Sequence, residues 1–161
     1  MDARLTALKL FLDELDTPSN IETVDDRKRV QKAVYLGQLS GVDLGYRFGW
    51  YLMGPYSPSL TRDYYTLATE IESGDREYED KALQPSLLAR LRNVQTLLAP
   101  PAEVDLPQEG WLELVSSVHY LREITKLSRD KALERLAEEK PALVKFVDQA
   151  EGKLREVGLL Q

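Results

Sequence analysis

The 161-residue sequence contains no cysteine and only one histidine, His119. Without cysteine the chain cannot form disulfides, thiolate metal sites or thiol nucleophiles. A hydrolytic triad would have to use His119, which follows Val118 on an apolar helical stripe. A histidine in that position is typical of the edge of a buried face, where a neighbour satisfies its ring nitrogens. We therefore predict no catalytic residue and, because one histidine and scattered carboxylates lack zinc-ligand spacing, no metal and no cofactor.

Long apolar runs are also missing. No segment approaches the roughly 20 apolar residues that cross a bilayer, and residues 1–5 do not form a basic leader followed by an apolar block. We therefore expect a cytoplasmic protein without a membrane span. The length and the composition, 43% hydrophobic and 30% charged, predict one soluble domain covering residues 1–161.

Positive charge is in the minority, since the formal net charge is -6. Binding of a polyanion would therefore need a local basic patch. Residues 70–80 are strongly acidic, with Arg76 as their one basic side chain. Such runs are usually solvated surface, although Mg²⁺ needs only one or two carboxylates and a bound phosphate, so a magnesium site there is a minor alternative. No phosphate-binding loop or dinucleotide fingerprint is present.

Apolar residues recur at helical spacing along most of the chain. The pattern predicts about seven helices and very little strand, which is a mainly α fold with a minor β element in a single compact helical domain. A proline-rich linker at 99–107 is expected to separate residues 5–98 from C-terminal helices at 108–158, which pack on them. The helices are predicted to begin near Leu5, Asp26, Pro58, Pro85, Gln108, Ser128 and Pro141.

Some helix boundaries carry specific signals. Ser57 is a predicted N-cap, with Pro58 in the first turn where its missing N–H has no cost. Asp105 and Gln108 are spaced like a capping pair before the fifth helix. In the second helix we expect Leu36 to lie at the margin of the buried face.

The connection between the second and third helices is closely specified. Residues 46–53 are rich in aromatic side chains and predict one short extended segment. The segment stops at Gly54-Pro55, turns, and leads into the third helix. Gly54, Pro55 and Pro58 are therefore predicted structural residues, and Gly54 is a candidate for a positive φ.

Tyrosine and tryptophan are unusually dense around this connection. Residue types of this kind anchor protein interfaces, but they also fill cores, and the two interpretations carry equal weight here. On the first interpretation we predict a partner-binding surface. Its candidate residues are Lys32, Tyr35, Trp50, Tyr51, Tyr56 and Ser57.

Two other binding modes come from the same region. Lys28, Arg29 and Lys32 lie on one predicted helix and could contact the phosphates of a nucleic acid, although a solvated helix face without a ligand is the more usual role of such residues. The free N–H groups near Ser59 and Leu60 could accept an anion, although a cap satisfied within the chain is the more usual arrangement.

Three motifs in this region resemble a known family. They are RKRVQKAVYL at 27–36, YRF at 46–48 and GPYS at 54–57 followed by Leu60. In this order and spacing they resemble the YwgA-like group of bacterial proteins, which is similar to the broader Panacea or SocA-like antitoxin domain. The resemblance covers roughly residues 25–70.

The resemblance implies a small, mainly helical, cytoplasmic bacterial protein without established catalysis. Members of the broader group act as antitoxins that neutralise varied toxins, or as proteolytic adaptors. The expected partner is therefore another protein, with a toxin encoded nearby as the first candidate. The motif residues are expected to fix the contact between the second helix, the extended segment and the third helix. They correspond to Lys32, Tyr35, Gly54, Pro55, Tyr56 and Ser57.

Overall fold

The computed structural model describes residues 1–161 as seven α-helices and one two-stranded antiparallel sheet. The predicted class, mainly α with a minor β element, is confirmed. Short 3₁₀ turns lie at Glu77–Asp80 and Val144–Phe146, and a π-helical turn at Tyr120–Ile124. The helices are α1 Ala3–Glu14, α2 Val24–Gln38, α3 Pro58–Glu72, α4 Pro85–Gln95, α5 Gln108–His119, α6 Arg129–Glu139 and α7 Val147–Glu156, and the strands are β1 Gly49–Tyr51 and β2 Gly54–Tyr56.

Helix α5 lies at the centre of the molecule. Every residue of 110–119 is buried, and Trp111 donates its indole N–H to the carbonyl oxygen of Leu97 at 2.8 Å. A single hydrophobic cluster contains residues from Leu5 to Leu160. Residues 99–107 form no helix or strand, yet Val104 within them is buried in this cluster.

Side-chain caps explain where several helices begin. The Ser57 hydroxyl accepts a hydrogen bond from the backbone N–H of Leu60, with Pro58 in the first turn of α3. At α2, Thr23 and Asp26 form a reciprocal capping box. Each cap satisfies backbone donors that the helix itself leaves free.

The predicted extended segment is a hairpin in the structure. Strand β1 pairs with β2 in the register Gly49 with Tyr56 and Tyr51 with Gly54, leaving Leu52 and Met53 as the turn. The expectation of one extended segment at 46–53 is therefore corrected: the strand is shorter, and the GPY segment after the turn pairs back on it. Gly54 has φ +90°, which confirms the predicted positive φ at this position.

Three local predictions were wrong. Leu36 is fully buried instead of marginal. The residue before α5 is Pro107, and no side chain caps this helix, so the Asp105–Gln108 pair does not form a capping box. Helix α7 begins at Val147 and not at Pro141, because residues 141–143 form a turn that continues into the 3₁₀ segment.

None of these helices combines the length and the apolar composition that a bilayer crossing requires.

Candidate functional site

The structure divides the six predicted partner-binding residues between the interior and the surface. Lys32, Tyr35 and Ser57 are buried, which corrects the expectation that they face a partner. Trp50 and Tyr56 are half-buried and Tyr51 is exposed. The predicted surface is thus reduced to the hairpin, and the other three residues hold it in place.

Two consecutive side chains of α2 bind the backbone around β2. The Gln31 amide accepts from the N–H of Ser57 at 2.9 Å and donates to its carbonyl oxygen at 3.0 Å. Lys32 donates to the carbonyl oxygen of Pro55 at 2.6 Å. These bonds join α2, the hairpin and the start of α3, which is the role that the motif residues were expected to have.

A buried carboxylate forms ion pairs with lysine side chains beneath the hairpin. Glu113 on α5 accepts from Lys28 at 2.6 Å and from Lys140 at 2.7 Å. Lys140 also donates to the carbonyl oxygen of Leu52, in the hairpin turn, at 2.8 Å. We call Lys28, Lys32, Lys140 and Glu113 the lysine cluster.

Burial and crowding of like charge set the protonation of the lysine cluster. Burial lowers the pKa of Lys32 to about 7; Glu113 opposes this shift, whereas Lys140 and Lys28 add to it. Burial alone would raise the pKa of Glu113, but its hydrogen bonds with Lys140 and Lys28 outweigh that effect and hold the pKa below its usual range. Glu113 therefore stays ionised near neutral pH.

Sequence reasoning missed Glu113 and Lys140. The available signal was Glu113 itself, an acid between Leu112 and Leu114 in the apolar stretch that begins at Trp111. Buried acids are rare unless paired, so this position required a cation from elsewhere in the fold. Nothing in the sequence identifies Lys140 as that cation.

His119 has the structural role that its sequence position predicted, with its ring hydrogen-bonded to a neighbour inside the fold. Its Nδ1 and the hydroxyl oxygen of Tyr35 share a buried hydrogen bond of 2.6 Å. Burial lowers the pKa of His119 to about 4 and raises that of Tyr35. Both groups are neutral at pH 7, and the Tyr35 ring packs edge-on against Phe48 at a centroid distance of 5.2 Å.

Trp50 connects the hairpin to the C-terminal part of the chain. Its ring stacks on Tyr120 at 5.7 Å, and the ammonium of Lys140 lies 5.4 Å from the Trp50 ring centroid. Its indole N–H donates to Glu139 at 3.3 Å. The side chain is therefore fixed on several sides, although the residue is only half-buried.

The hairpin tip, residues Tyr51, Leu52 and Met53, projects apolar side chains into solvent. Leu52 is 92% exposed, and Tyr51 and Met53 are exposed to about half of that extent. Val24 and Tyr65 are exposed as well. A cluster of exposed apolar side chains on one face is typical of an interaction site.

A cleft of about 210 Å³ lies beside the tip, between α2, Met53 and α3. We call it the tip cleft. One set of lining residues is polar or basic and the other is apolar or aromatic. They are Arg27, Lys28, Gln31, Lys32 and Thr61, and Val24, Met53, Tyr56, Tyr64 and Tyr65.

A larger groove of about 670 Å³ lies on the other side of Tyr65. It is formed by residues 19–22 and by α3, and its charged residues are Glu22 and Glu72. The groove contains none of the predicted site residues, and it shares only Tyr65 with the tip cleft.

The predicted nucleic-acid face is not an open basic surface. Lys28 pairs with Glu113, and Lys32 is 1% exposed. Arg29 pairs with Asp26 and, at 3.0 Å, with Glu109. The expectation that Lys28, Arg29 and Lys32 form a solvated face is therefore corrected, since all three are engaged within the chain.

Two further candidate sites remain, a metal site and an anion site at the start of α3. Within residues 1–161, no group of three or more His, Asp or Glu side chains is arranged to hold a metal ion. The start of α3 is capped by the buried Ser57, so the N–H of Leu60 already has an acceptor within the chain.

Comparison with protein-family models, curated proteins and solved structures finds no match for this chain. The fold and the site define it as a small helical protein with a braced, apolar-tipped hairpin.

Proposed function

We propose that this chain is a non-catalytic protein-binding module that binds a partner protein through the hairpin tip. The observation that carries the proposal is the position of Leu52. Its side chain is 92% exposed, while its own carbonyl oxygen is held by the buried Lys140. An exposed apolar group on a fixed backbone is suited to burial in another molecule.

Bracing of the hairpin favours binding by reducing its entropic cost. Lys140 holds the turn at Leu52, and Lys32 holds β2 at Pro55. A preorganised loop loses less conformational freedom when a partner docks. Tyrosine and other large side chains at the centre of an interface carry most of its binding energy, and Tyr51 and Met53 flank Leu52 at the tip.

The family resemblance gives this module its biological setting. By analogy with the Panacea or SocA-like domain, we propose an antitoxin-like neutraliser or adaptor in the bacterial cytoplasm. Its partner would then be a toxin encoded by a neighbouring gene. The motifs at 27–36 and 54–57 support this view, because their side chains build the brace beneath the tip.

The placement of the reactive side chains supports a non-catalytic role. His119 shares its hydrogen bond with Tyr35, and the Lys32 amine donates to Pro55. Both lie in the interior. A catalytic acid, base or nucleophile must reach its substrate directly or through one water.

The proposal is tested by co-purifying the tagged chain with the product of the adjacent gene. Leu52→Ser should weaken binding at least tenfold, which corresponds to about 1.4 kcal/mol. The melting temperature of this variant should match that of the parent, because the Leu52 side chain is 92% exposed and its loss removes almost no buried contact.

Ile124→Ser is the matched control for this experiment. Ile124 is also an exposed aliphatic residue, 53% accessible, but it lies beyond the end of α5 and outside the tip. Its substitution should leave binding unchanged. Equal affinity of the parent and Leu52→Ser for the partner would contradict the proposal.

A further inference from the structure

Positive charge beside the hairpin tip is not balanced within the chain. Lys28 and Lys140 share the single carboxylate of Glu113, and Lys32 beside them has no ion-pair partner and donates to the carbonyl oxygen of Pro55. Arg27, on the same wall of the tip cleft, donates through one nitrogen to the carbonyl oxygens of Ile21 and Glu22, at 2.9 and 3.3 Å. A guanidinium has five N–H donors, so most of the hydrogen-bonding capacity of Arg27 is free for an acceptor.

The opposite wall offers apolar contact. Met53 and Tyr65 are exposed at the rim, and Tyr56, which also lines the cleft, accepts a hydrogen bond from Thr61 at 2.6 Å. An occupant of the tip cleft would therefore meet cations on one side and aromatic or thioether surface on the other. This is the complement of an apolar side chain beside a carboxylate.

We propose that the tip cleft binds an acidic peptide segment of the partner protein, an inference that rests on the proposed function. An apolar side chain of that segment packs between Met53 and Tyr65. A neighbouring Asp or Glu carboxylate accepts hydrogen bonds from the free N–H groups of Arg27. The partner thereby supplies the anion that this wall of the cleft lacks.

Size and overall charge favour a peptide over other anions. Small-molecule sites usually have volumes of roughly 300–1,000 Å³, whereas the tip cleft has about 210 Å³ and suits one or two side chains. A nucleic acid would face a chain of net charge -6, which repels an extended polyanion. A short segment with one or two carboxylates meets only the local field.

The test is selection of peptides from a random 12-residue display library on the immobilised full chain. Selected peptides that lose binding to Met53→Ser should be enriched in Asp or Glu beside Leu, Phe, Tyr or Trp. A synthetic copy of the strongest peptide should bind at least tenfold more tightly than the same peptide with Gln and Asn in place of its acids.

Variants of the basic wall make the test specific. Arg27→Gln should weaken binding of the acidic peptide at least tenfold. Arg27→Lys, which keeps the charge, should retain most of the affinity. Arg62→Gln is the control, because Arg62 is an exposed arginine of α3 outside the tip cleft. A melting curve of each variant establishes that it is folded.

The outcomes separate this inference from the proposed function. Peptides that need Met53 but carry no excess of acids would overturn the acidic occupant and leave the hairpin tip as a binding site. The absence of any Met53-dependent peptide would overturn the peptide-binding role of the tip cleft, while the Leu52→Ser co-purification decides the proposed function independently. Equal competition by inorganic phosphate or a single-stranded oligonucleotide would replace the peptide with a general anion.

Discussion

Buried titratable side chains give this protein a pH dependence that single residues control. Because His119 is the only histidine, its ring protons can be followed without assignment ambiguity. We predict that an NMR titration will find it neutral down to about pH 5, since burial lowers its pKa to about 4. A midpoint near the ordinary value of about 6.5 would contradict the buried pair with Tyr35.

The same residue should destabilise the fold in acid. Between pH 6.5 and 4 the unfolded chain takes up a proton on His119 that the folded chain refuses, so stability is lost as the pH falls. At about 1.4 kcal/mol per pKa unit, the loss amounts to roughly 3 kcal/mol. Urea unfolding of the parent and of His119→Gln at pH 7 and 4.5 should show a smaller loss in the variant.

Gly54 combines two constraints at one position. Its φ of +90° disfavours any side chain. A Cβ there would also lie 2.6 Å from the hydroxyl oxygen of Ser117 on α5. We predict that Gly54→Ala destabilises the protein by about 2 kcal/mol, measured by urea unfolding.

Two further variants separate the causes. Ser117→Ala removes the crowded oxygen, so combining it with Gly54→Ala should recover the steric part of the loss and leave the part due to φ. Gly152→Ala is the matched control, since Gly152 lies in α7 with nothing near its absent side chain. It should be neutral or stabilising, because alanine favours helix.

Residues whose roles are local could be predicted from the sequence. The Ser57 cap and the special backbone at Gly54 follow from their immediate neighbours. The pairing of Glu113 with Lys28 and Lys140 could not be predicted, because it joins positions 85 and 27 residues apart in sequence. For the same reason Lys28 and Lys32 were interpreted as a solvated face.

At the scale of elements, α5 is the support on which the hairpin rests. Its one buried carboxylate neutralises the ammonium groups from α2 and from the end of α6. We predict that Glu113→Gln destabilises the fold by about 3 kcal/mol, because it leaves buried cations without their anion. Chemical denaturation with a fluorescence or circular dichroism signal measures the loss.

Glu109→Gln is the control on the same helix. Glu109 pairs with the partly exposed Arg29, and such pairs contribute at most about 1 kcal/mol. Similar losses in the two variants would show that the lysine cluster is no more important than an ordinary surface pair.

Element boundaries show why helices were easier to predict than the hairpin. The α3 helix has a cap, a proline and a regular apolar stripe, all within its own sequence. Strand β2 has three residues, one of them Pro55, and is extended only because β1, Lys32 and Gln31 hold it. A strand defined by its neighbours leaves little signal in its own residues.

At the scale of the whole molecule, charge argues against the nucleic-acid alternative. The net charge is -6, Lys28 and Arg29 are paired with carboxylates, and Lys32 is buried. We predict no retention on immobilised DNA or heparin at 50 mM NaCl, because phosphate binding depends on free cations that release counterions. Retention that Lys28→Ala or Arg29→Ala abolishes would contradict this prediction and revive the alternative.

The positions of the two tryptophans provide an intrinsic spectroscopic reporter. Trp111 is sealed in the centre of the molecule, whereas Trp50 lies in β1, one residue from the hairpin tip, against Tyr120 and Lys140. Replacing Trp111 with Phe leaves Trp50 as the only indole fluorophore. Its emission and quenching would then register a docking event at the hairpin directly, without an attached dye.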